Sequence, residues 1–441
     1  MTAESLHWWA KPGAPLRGEV RVPGDKSISH RAVLLAAIAE GTTRVQGFLE
    51  GEDTRATAAM LRQLGVRMDA PSCGERLIHG VGMHGLRGSD WPLDCGNAGT
   101  GMRLACGLLA AQAFPSVLVG DASLSQRPMR RVIEPLERMG AAIASQVGGL
   151  PPLHIAGGRA LRGIDHEPPV ASAQVKSAIL LAGLYARGRT RVREQQPTRD
   201  YTERMLAAFG YPIHHAEGLA ELDGGHRLRA TDIIVPGDFS SAAFLLVAAS
   251  IVDGSDLLIA GVGVNARRIG LLAALRAMGA DIVEENSRRS GGEEVADLRV
   301  RAARLRGIDV PAAIVADMID EFPALFVAAA LAEGATVVRG AGELRVKESD
   351  RIAGMAAGLR VLGVRVDEAP DGATIHGLGA GARLRGGEID SCGDHRLAMA
   401  FAVAAQRAQE PVRITDCANV ATSFPGFLEL ADRIGMGLRA A

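Results

Sequence analysis

Cationic side chains stand at the predicted starts of several helices in this sequence. Lys26 precedes an apolar helix, and Arg127 and Arg199 open amphipathic ones. The helix dipole disfavours a cation at such a place by roughly 0.3–1 kcal/mol. Because the free N–H groups of a helix start bind anions, an anionic ligand between the helix and the cations would explain the pattern. The positions of these residues therefore predict an anion site.

Other polar residues share the helix starts, and capping explains most of them. Ser, Thr, Asn and Asp accept hydrogen bonds from the free N–H groups of a first turn, whereas Lys and Arg cannot. With the cations included, the candidate positions at helix starts are Lys26-Ser27, Asn97 and Thr100, Arg127, Ser172 and Gln174, Arg199, Asp238 and Ser240, Asp320-Glu321, the run from Lys347 to Arg351, and Asp394-His395-Arg396.

Two glycine-containing motifs each leave two interpretations open. Residues 24–27 form either a capped turn or an anion site, and they lack the spacing of a phosphate-binding P-loop. Residues 95–101 either cradle a small anion with backbone N–H groups or make a tightly packed turn.

The charged motifs also have alternatives. Residues 347–351 belong either to a site or to a solvated helix start, with i,i+3 pairs that join Lys347 to Asp350 and Glu348 to Arg351. Asp320 lies shortly before a proline, so it is either a helix cap or a catalytic group. We do not expect His395 to be a metal ligand.

The elements that must position these residues form a unit that recurs six times. Each unit has a polar turn, an Ala/Leu-rich helix, a strand marked by Gly, and an amphipathic helix that ends in an apolar residue and Gly. The numbers of the terminal glycines differ successively by 75, 70, 69, 84 and 72; these are Gly65, Gly140, Gly210, Gly279, Gly363 and Gly435. This spacing suits a βαβαββ module rather than a helical-hairpin solenoid. Six units predict two domains of three units.

The first helix of each unit is apolar nearly all round, as in residues 242–251 and 324–332. A helix without a polar face is buried. The strands, such as residues 19–22 and 232–235, are short and β-branched. We therefore predict an α/β protein in which sheets wrap around buried helices.

The composition excludes several classes of function. There are 49 basic and 50 acidic residues, so no overall field attracts nucleic acid or an anionic membrane. Aromatic residues make up 4%, too few for base-stacking platforms. The apolar runs are shorter than the about 20 residues of a membrane span. Residues 1–18 show no signal-peptide pattern, and the five cysteines lack CxxC spacing, so we expect reduced thiols and a cytoplasmic protein.

Six motifs, in order along the chain, resemble the 3-phosphoshikimate 1-carboxyvinyltransferase family, whose members are also called 5-enolpyruvylshikimate-3-phosphate synthases. The motifs run from Pro23 to Arg31, Gly96 to Thr100, Gln126 to Met129, Ser172 to Ser177, Arg345 to Arg351 and Asp394 to Arg396. The resemblance implies two inside-out α/β domains, each of three βαβαββ units around buried helices, with the active site in the cleft between them. The implied domains are residues 1–21 plus 236–441 and an inserted domain of residues 22–235.

The implied reaction transfers the enolpyruvyl group of phosphoenolpyruvate to the 5-hydroxyl of shikimate 3-phosphate and releases phosphate, in the shikimate pathway of aromatic amino-acid biosynthesis. Two polyanionic substrates side by side need many cations. The resemblance implies neither a metal nor an organic cofactor. We expect small-molecule substrates alone as partners, without nucleic acid or membrane, and a monomer.

The resemblance also implies roles for individual residues. Asp320 is the expected base for the attacking hydroxyl, and Glu348 the acid/base at the methylene carbon, assisted by Lys26 and Lys347. The residues implied for shikimate 3-phosphate are Lys26, Ser27, Arg31, Ser172, Ala173, Gln174, Arg199, Asp320 and Lys347. Those implied for phosphoenolpyruvate are Lys26, Gly99, Arg127, Gln174, Arg351 and Arg396.

Some positions separate this chain from its relatives and rivals. Residues 199–201 and 422–425 resemble a second, divergent bacterial branch, but Gly99 stands where that branch's herbicide-tolerant members have Ala. Glyphosate competes with phosphoenolpyruvate in this family. We therefore expect it to inhibit this chain more readily than it inhibits the Ala-bearing relatives of the second branch. The rival family, which acts on UDP-N-acetylglucosamine, has a reactive loop cysteine that residues 120–128 lack. A non-enzymatic anion-binding scaffold would not require Asp320 and Glu348 beside the cations.

Overall fold

The structure is a computed structural model that describes residues 6–441. The described residues form thirteen α-helices and 23 strands. The helices are α1 Lys26–Ala37, α2 Glu52–Gln63, α3 Gly99–Leu109, α4 Arg130–Arg138, α5 Ala173–Gly183, α6 Tyr201–Ala208, α7 Phe239–Ile251, α8 Gly270–Ala277, α9 Ala312–Val315, α10 Phe322–Ala330, α11 Arg351–Val361, α12 His395–Ala404 and α13 Phe427–Arg433.

Most of the strands have seven residues or fewer, as the short β-branched segments predict, but three strands have eight to ten. They are β1 Trp8–Lys11, β2 Arg17–Val20, β3 Glu40–Gln46, β4 Arg67–Asp69, β5 Glu75–Val81, β6 Leu93–Asp94, β7 Ser116–Val119, β8 Ile143–Gln146, β9 Leu150–Ile155, β10 Asp165–His166, β11 Arg189–Arg193, β12 Ile213–Ala216, β13 Leu219–Asp223, β14 Ile233–Ile234, β15 Asp256–Gly263, β16 Asp281–Ser290, β17 Glu293–Arg301, β18 Glu333–Val338, β19 Arg365–Ala369, β20 Gly372–Leu378, β21 Gly387–Asp390, β22 Val412–Thr415 and β23 Gly437–Ala440.

The chain divides into two compact units. The inserted unit comprises Gly24–Val235 with Ser290–Gly292, and the terminal unit comprises the described residues up to Pro23 together with Pro236–Arg289 and Glu293–Ala441. The predicted domains are residues 1–21 plus 236–441 and residues 22–235. They differ at the first junction, because they assign Val22 and Pro23 to the inserted domain rather than to the terminal one. The division into domains stays a prediction.

The inserted unit contains three sheets with one strand order. The sheets are β14-β3-β5-β4, β6-β7-β9-β8 and β10-β11-β13-β12. In each sheet the first two strands are parallel and the following pairs are antiparallel. Inside the unit, α3 packs against both α1 and α5. This arrangement carries the starts of α1, α3 and α5, where many of the predicted site residues lie.

The terminal unit repeats the arrangement with strands from distant parts of the chain. Its sheets are β16-β17-β15-β2, β18-β20-β19 and β21-β22-β1-β23. Strand β2 pairs in parallel with β15, and β1 lies antiparallel between β22 and β23. The three-stranded sheet gains isolated parallel bridges from Arg306 to Glu333 and from Asp309 to Val337. The N-terminal strands thus complete two sheets of this unit.

The apolar helices lie inside each unit. Every residue of α7 is buried, and α7, α10 and α12 pack against one another. Their Ala, Leu, Val and Phe side chains have no polar stripe that could face water, which is why the sheets surround them. The predicted α/β class, with buried helices among the sheets, is confirmed. Among the described residues, no helix combines the length and apolarity needed to cross a membrane.

Candidate active site

The start of α1 brings together three of the residues predicted to bind shikimate 3-phosphate. Asp25 caps the helix, since its side chain accepts a hydrogen bond of 2.8 Å from the N–H of Ile28. Nη1 of Arg31 donates to the carbonyl oxygen of Ser27 at 2.9 Å, and Nη1 of Arg199 lies 3.5 Å from Oγ of Ser27. Two guanidinium groups therefore converge on one serine at the start of a helix, as an anion site requires.

Lys26 is the first residue of α1 and forms an ion pair with α2. Its Nζ lies 2.9 Å from Oδ2 of Asp53, and both side chains are largely buried. Asp53 was not singled out from the sequence. The pair fixes where the ammonium group of Lys26 points.

Burial changes the ionisation of two neighbours in α1. Burial lowers the pKa of Arg31 to about 10, against the opposing attraction of the Glu203 carboxylate. Burial, helped by the charges of Lys26 and Arg31, lowers the pKa of His30 well below its ordinary value of 6.5. His30 is therefore a neutral side chain at pH 7, and its Nδ1 lies 2.9 Å from the hydroxyl of Thr57.

Arg127 lies beside the start of α3. Its Nη2 donates to Oδ1 of Asn97 at 2.6 Å and to Oγ of Ser123 at 3.2 Å. Gly99, the first residue of α3, faces the same guanidinium, because a Cβ atom at this position would lie 3.1 Å from Nη1. The structure thus brings together Gly99 and Arg127, two of the residues predicted to bind phosphoenolpyruvate.

The start of α5 carries residues that were predicted to bind shikimate 3-phosphate or to contact both substrates. Ser172 caps the helix by accepting from the N–H of Val175 at 3.4 Å, and Ala173 is its first residue. Oε1 of Gln174 accepts from Nη1 of Arg103 at 2.6 Å, and its Nε2 donates to the hydroxyl of Thr100 at 2.8 Å. The two bonds from α3 orient the amide of Gln174.

In the terminal unit, cations surround Asp320. Oδ1 lies 3.4 Å from Nη1 of Arg351 and 3.6 Å from Nζ of Lys347, and Oδ2 lies 3.6 Å from Nη1 of Arg268. The N-cap position of α10 belongs to Glu321 rather than to Asp320. Capping therefore does not explain Asp320, and the alternative of a functional carboxylate is favoured.

Arg351 is buried among carboxylates. Its Nε lies 2.8 Å from Oδ2 of Asp394, and its Nη2 lies 2.6 Å from Oε2 of Glu348. Burial acts to lower the pKa of Arg351, but the carboxylates of Asp394, Glu348 and Asp320 outweigh it and raise the pKa above its ordinary value. Arg351 is permanently charged.

The alternatives for residues 347–351 are partly resolved. The pair of Glu348 with Arg351 forms, whereas Asp350 pairs with Arg345 at 2.7 Å and caps α11 through the N–H of Ala353. Lys347 turns to Asp320 instead. One of the two pairs expected for a solvated helix start therefore forms, whereas Lys347 joins the cations around Asp320.

Arg396 fixes the backbone beside this cluster. Its Nη1 donates to the carbonyl oxygen of Asp320 at 2.9 Å. Asp394 caps α12, since it accepts from the N–H of Arg396 at 2.8 Å. Asp320, Lys347, Glu348, Arg351 and Arg396 thus form one cluster in the terminal unit. The other residues with an implied substrate or catalytic role lie in the inserted unit.

Arg268 is the functional candidate that the sequence reasoning missed in the terminal unit. It is buried, and its Nη2 lies 3.1 Å from Oδ1 of Asp238 while its Nη1 lies 3.3 Å from Oε1 of Glu321. The sequence contained a signal, because Arg268 stands just before α8 as Arg127 and Arg199 stand before α4 and α6.

Within residues 6–441, no three His, Cys, Asp or Glu side chains are grouped to hold a metal. All five cysteines are free thiols, and burial raises the pKa of Cys106 to about 12. The cations and carboxylates at the helix starts are of the kind that suits binding of small polyanions.

The comparisons with known proteins agree with this class. The profile of EPSP synthase, 3-phosphoshikimate 1-carboxyvinyltransferase, matches residues 10–430. Curated 3-phosphoshikimate 1-carboxyvinyltransferases from Xanthomonas campestris pv. campestris (strain B100) and Xanthomonas axonopodis pv. citri (strain 306) are each 64% identical to this chain. Both alignments cover 100% of this chain, and they cover 100% and 99% of the two relatives, respectively. A solved EPSP synthase from Acinetobacter baumannii superposes with a TM-score of 0.89 at 50% identity, over 99% of this chain and 100% of that chain.

The chain belongs to the EPSP synthase family, so the resemblance drawn from six motifs is confirmed. Membership makes it an enzyme, an enolpyruvyl transferase of the shikimate pathway. The roles of individual residues stay predictions.

Proposed function

We propose that the protein transfers the enolpyruvyl group of phosphoenolpyruvate to the 5-hydroxyl of shikimate 3-phosphate through the residues of the two clusters. The observation that carries this assignment is the environment of Asp320, a carboxylate with cationic groups of Lys347, Arg351 and Arg268 within 3.6 Å. A structural ion pair needs one cation. Three cations around one carboxylate that caps no helix suit a group that works beside anionic substrates.

The cluster at the start of α1 is proposed to bind shikimate 3-phosphate. Ser27, Arg31 and Arg199 offer a hydroxyl and two guanidinium groups, which match the oxygens of a phosphate in number and charge. Ser172, Ala173 and Gln174 at the start of α5 are proposed to hold the same ligand, and Gln174 and Lys26 to contact both substrates.

Phosphoenolpyruvate is proposed to bind Arg127, Gly99, Arg351 and Arg396. Arg351 already holds Glu348, at 2.6 Å. An incoming carboxylate or phosphate oxygen can take the place of Glu348 on Nη2 of Arg351. This exchange would release Glu348 for proton transfer only when the substrate is bound.

The proton steps follow from these positions. Asp320 takes the proton of the 5-hydroxyl as the hydroxyl oxygen attacks C2 of phosphoenolpyruvate. Glu348, once it has left Arg351 and taken a proton from Lys26 or Lys347, delivers that proton to the methylene carbon. The resulting tetrahedral ketal phosphate then loses phosphate and one methyl proton, which restores the double bond and reverses the proton roles. General acid–base catalysis contributes about 10²–10⁴-fold, so positioning and charge supply the remainder.

The assay for this proposal is release of inorganic phosphate when the protein is mixed with both substrates. We expect release with shikimate 3-phosphate and phosphoenolpyruvate together and none when either is omitted. UDP-N-acetylglucosamine in place of shikimate 3-phosphate is the matched control for the rival acceptor. Phosphate release with UDP-N-acetylglucosamine and phosphoenolpyruvate, but not with shikimate 3-phosphate and phosphoenolpyruvate, would contradict the proposal.

We further propose that the active protein is a cytoplasmic monomer. Free thiols at all five cysteines suit a reducing compartment. Sedimentation of the active enzyme at the mass of one chain, 46.1 kDa, is the expected result.

A further inference from the structure

A set of charged side chains that was not among the predicted site residues is buried in the inserted unit. Nζ of Lys176, on α5, lies 2.7 Å from Oε2 of Glu194 and 2.8 Å from Oε1 of Glu203, on α6. These side chains are at most 4% exposed. Apolar residues of similar volume usually stabilise a core as well as a buried ion pair does, so stability alone does not explain the set.

Glu194 and Lys176 together occupy the polar groups of Thr198, the residue before Arg199. The N–H of Thr198 donates to Oε2 of Glu194 at 3.2 Å, and its hydroxyl donates to Oε1. Nζ of Lys176 lies 3.4 Å from the carbonyl oxygen of Thr198. The backbone that leads into Arg199 is therefore tied to one buried carboxylate and one buried ammonium group.

The same set reaches Arg31 through residues adjacent in sequence. Ser177 follows Lys176, and Thr202 precedes Glu203; their hydroxyls accept from Nη2 and Nε of Arg31, each at 2.7 Å. The Glu203 carboxylate also attracts the buried charge of Arg31. The positive charges of Arg31 and Lys176 are thus balanced by the carboxylates of Glu194 and Glu203.

We propose that Glu194 and Lys176 are positioning residues for shikimate 3-phosphate, which fix the segment before Arg199 so that its guanidinium meets the ligand beside Ser27. The inference rests on the proposed function, in which Arg199 binds this substrate. The two residues touch no substrate themselves. They act through Thr198, whose three backbone and side-chain polar groups they hold.

The test compares the Michaelis constants of the two substrates in the full-length enzyme. Glu194→Gln keeps the shape of the side chain but removes its charge, and Thr198→Val removes one donor. We expect each variant to raise the KM for shikimate 3-phosphate, by roughly ten- to hundredfold for Glu194→Gln because misplaced binding groups cost that much. The KM for phosphoenolpyruvate should stay near the wild-type value. Thr198→Ser, which keeps the hydroxyl, should restore wild-type behaviour.

Glu221→Gln is the matched control, because Glu221 pairs with Arg191 at 2.6 Å in the same unit but away from Thr198. It should leave both constants unchanged. Equal changes in both constants, or no change, in Glu194→Gln and Thr198→Val would overturn the inference. Should Glu194→Gln fail to fold, the contrast between Thr198→Val and Thr198→Ser decides. A wild type that releases no phosphate would overturn the proposed function as well. An active wild type whose variants change both Michaelis constants equally, or neither, would overturn this inference alone.

Discussion

Gly99 lies directly against the guanidinium group of Arg127. A Cβ atom at residue 99 would sit 3.1 Å from Nη1 of Arg127 and 3.6 Å from Cδ1 of Leu124. The absence of a side chain at this position therefore sets how much space remains beside one of the cations proposed to bind phosphoenolpyruvate.

We predict that Gly99→Ala raises the inhibition constant of glyphosate more than the KM for phosphoenolpyruvate. The added methyl group pushes on Arg127, and overpacking of this kind typically costs 1–3 kcal/mol. The longer inhibitor has less room to adjust than the substrate does. Steady-state kinetics on both variants measure the two constants. Equal shifts, or a wild type that already tolerates the inhibitor strongly, would contradict the prediction.

Arg127→Ala should weaken phosphoenolpyruvate binding by about 1.5–3 kcal/mol and leave shikimate 3-phosphate binding nearly unchanged, because one charge-assisted contact to one ligand is lost. Arg130→Ala is the control, since Arg130 is exposed and its contact with Glu134 is 3.8 Å long. Titration of each ligand measures the effect. Equal losses for both ligands would rule out the assignment of Arg127.

Arg351→Met should lower the free energy of unfolding by about 3–5 kcal/mol, because it leaves the buried Asp394 carboxylate without its cation. The double variant Arg351→Met/Asp394→Asn removes the stranded charge and should regain part of the loss. Urea denaturation monitored by circular dichroism gives the values. A loss below about 1 kcal/mol in the single variant would show that Asp394 does not depend on Arg351.

Acidification should destabilise the protein through His30. Its pKa in the folded state lies well below 6.5, so below pH 6.5 the unfolded chain binds the proton more readily. The stabilising contribution of neutral His30 is complete above pH 6.5 and is lost as the pH falls, by up to about 1.4 kcal/mol per pH unit.

His30→Asn, which offers a polar atom near the position of Nδ1, should show a shallower decline in unfolding free energy between pH 7 and pH 5 than the wild type. Denaturation at several pH values measures both slopes. Parallel slopes would mean that His30 is not the group responsible.

Residues that act at their own helix start could be predicted from sequence. Ser172 and Asp394 are polar residues in front of apolar helices, and both cap those helices in the structure. The signal is local because the N–H groups that need a partner lie within three residues.

Partners from another segment could not be predicted in this way. Asp53 holds Lys26 from 27 residues away, and nothing in the sequence of α2 distinguishes it from an ordinary acidic residue of a first helical turn. Arg268 had a repeat-based signal, but only packing shows that it faces Asp320. Pairwise geometry between elements is set by tertiary contacts, which local spacing does not contain.

The placement of β1 between β22 and β23 has a consequence for synthesis on the ribosome. Trp8 is paired with Ile414 and Ala440, so β1 finds its two neighbours only after the roughly 400 residues between them have been translated. At about 5–20 residues per second, this strand waits tens of seconds with its edges unpaired. The inserted unit, by contrast, has nearly its whole chain once Val235 has been translated. The inserted unit can therefore fold before β1 meets either of its neighbours.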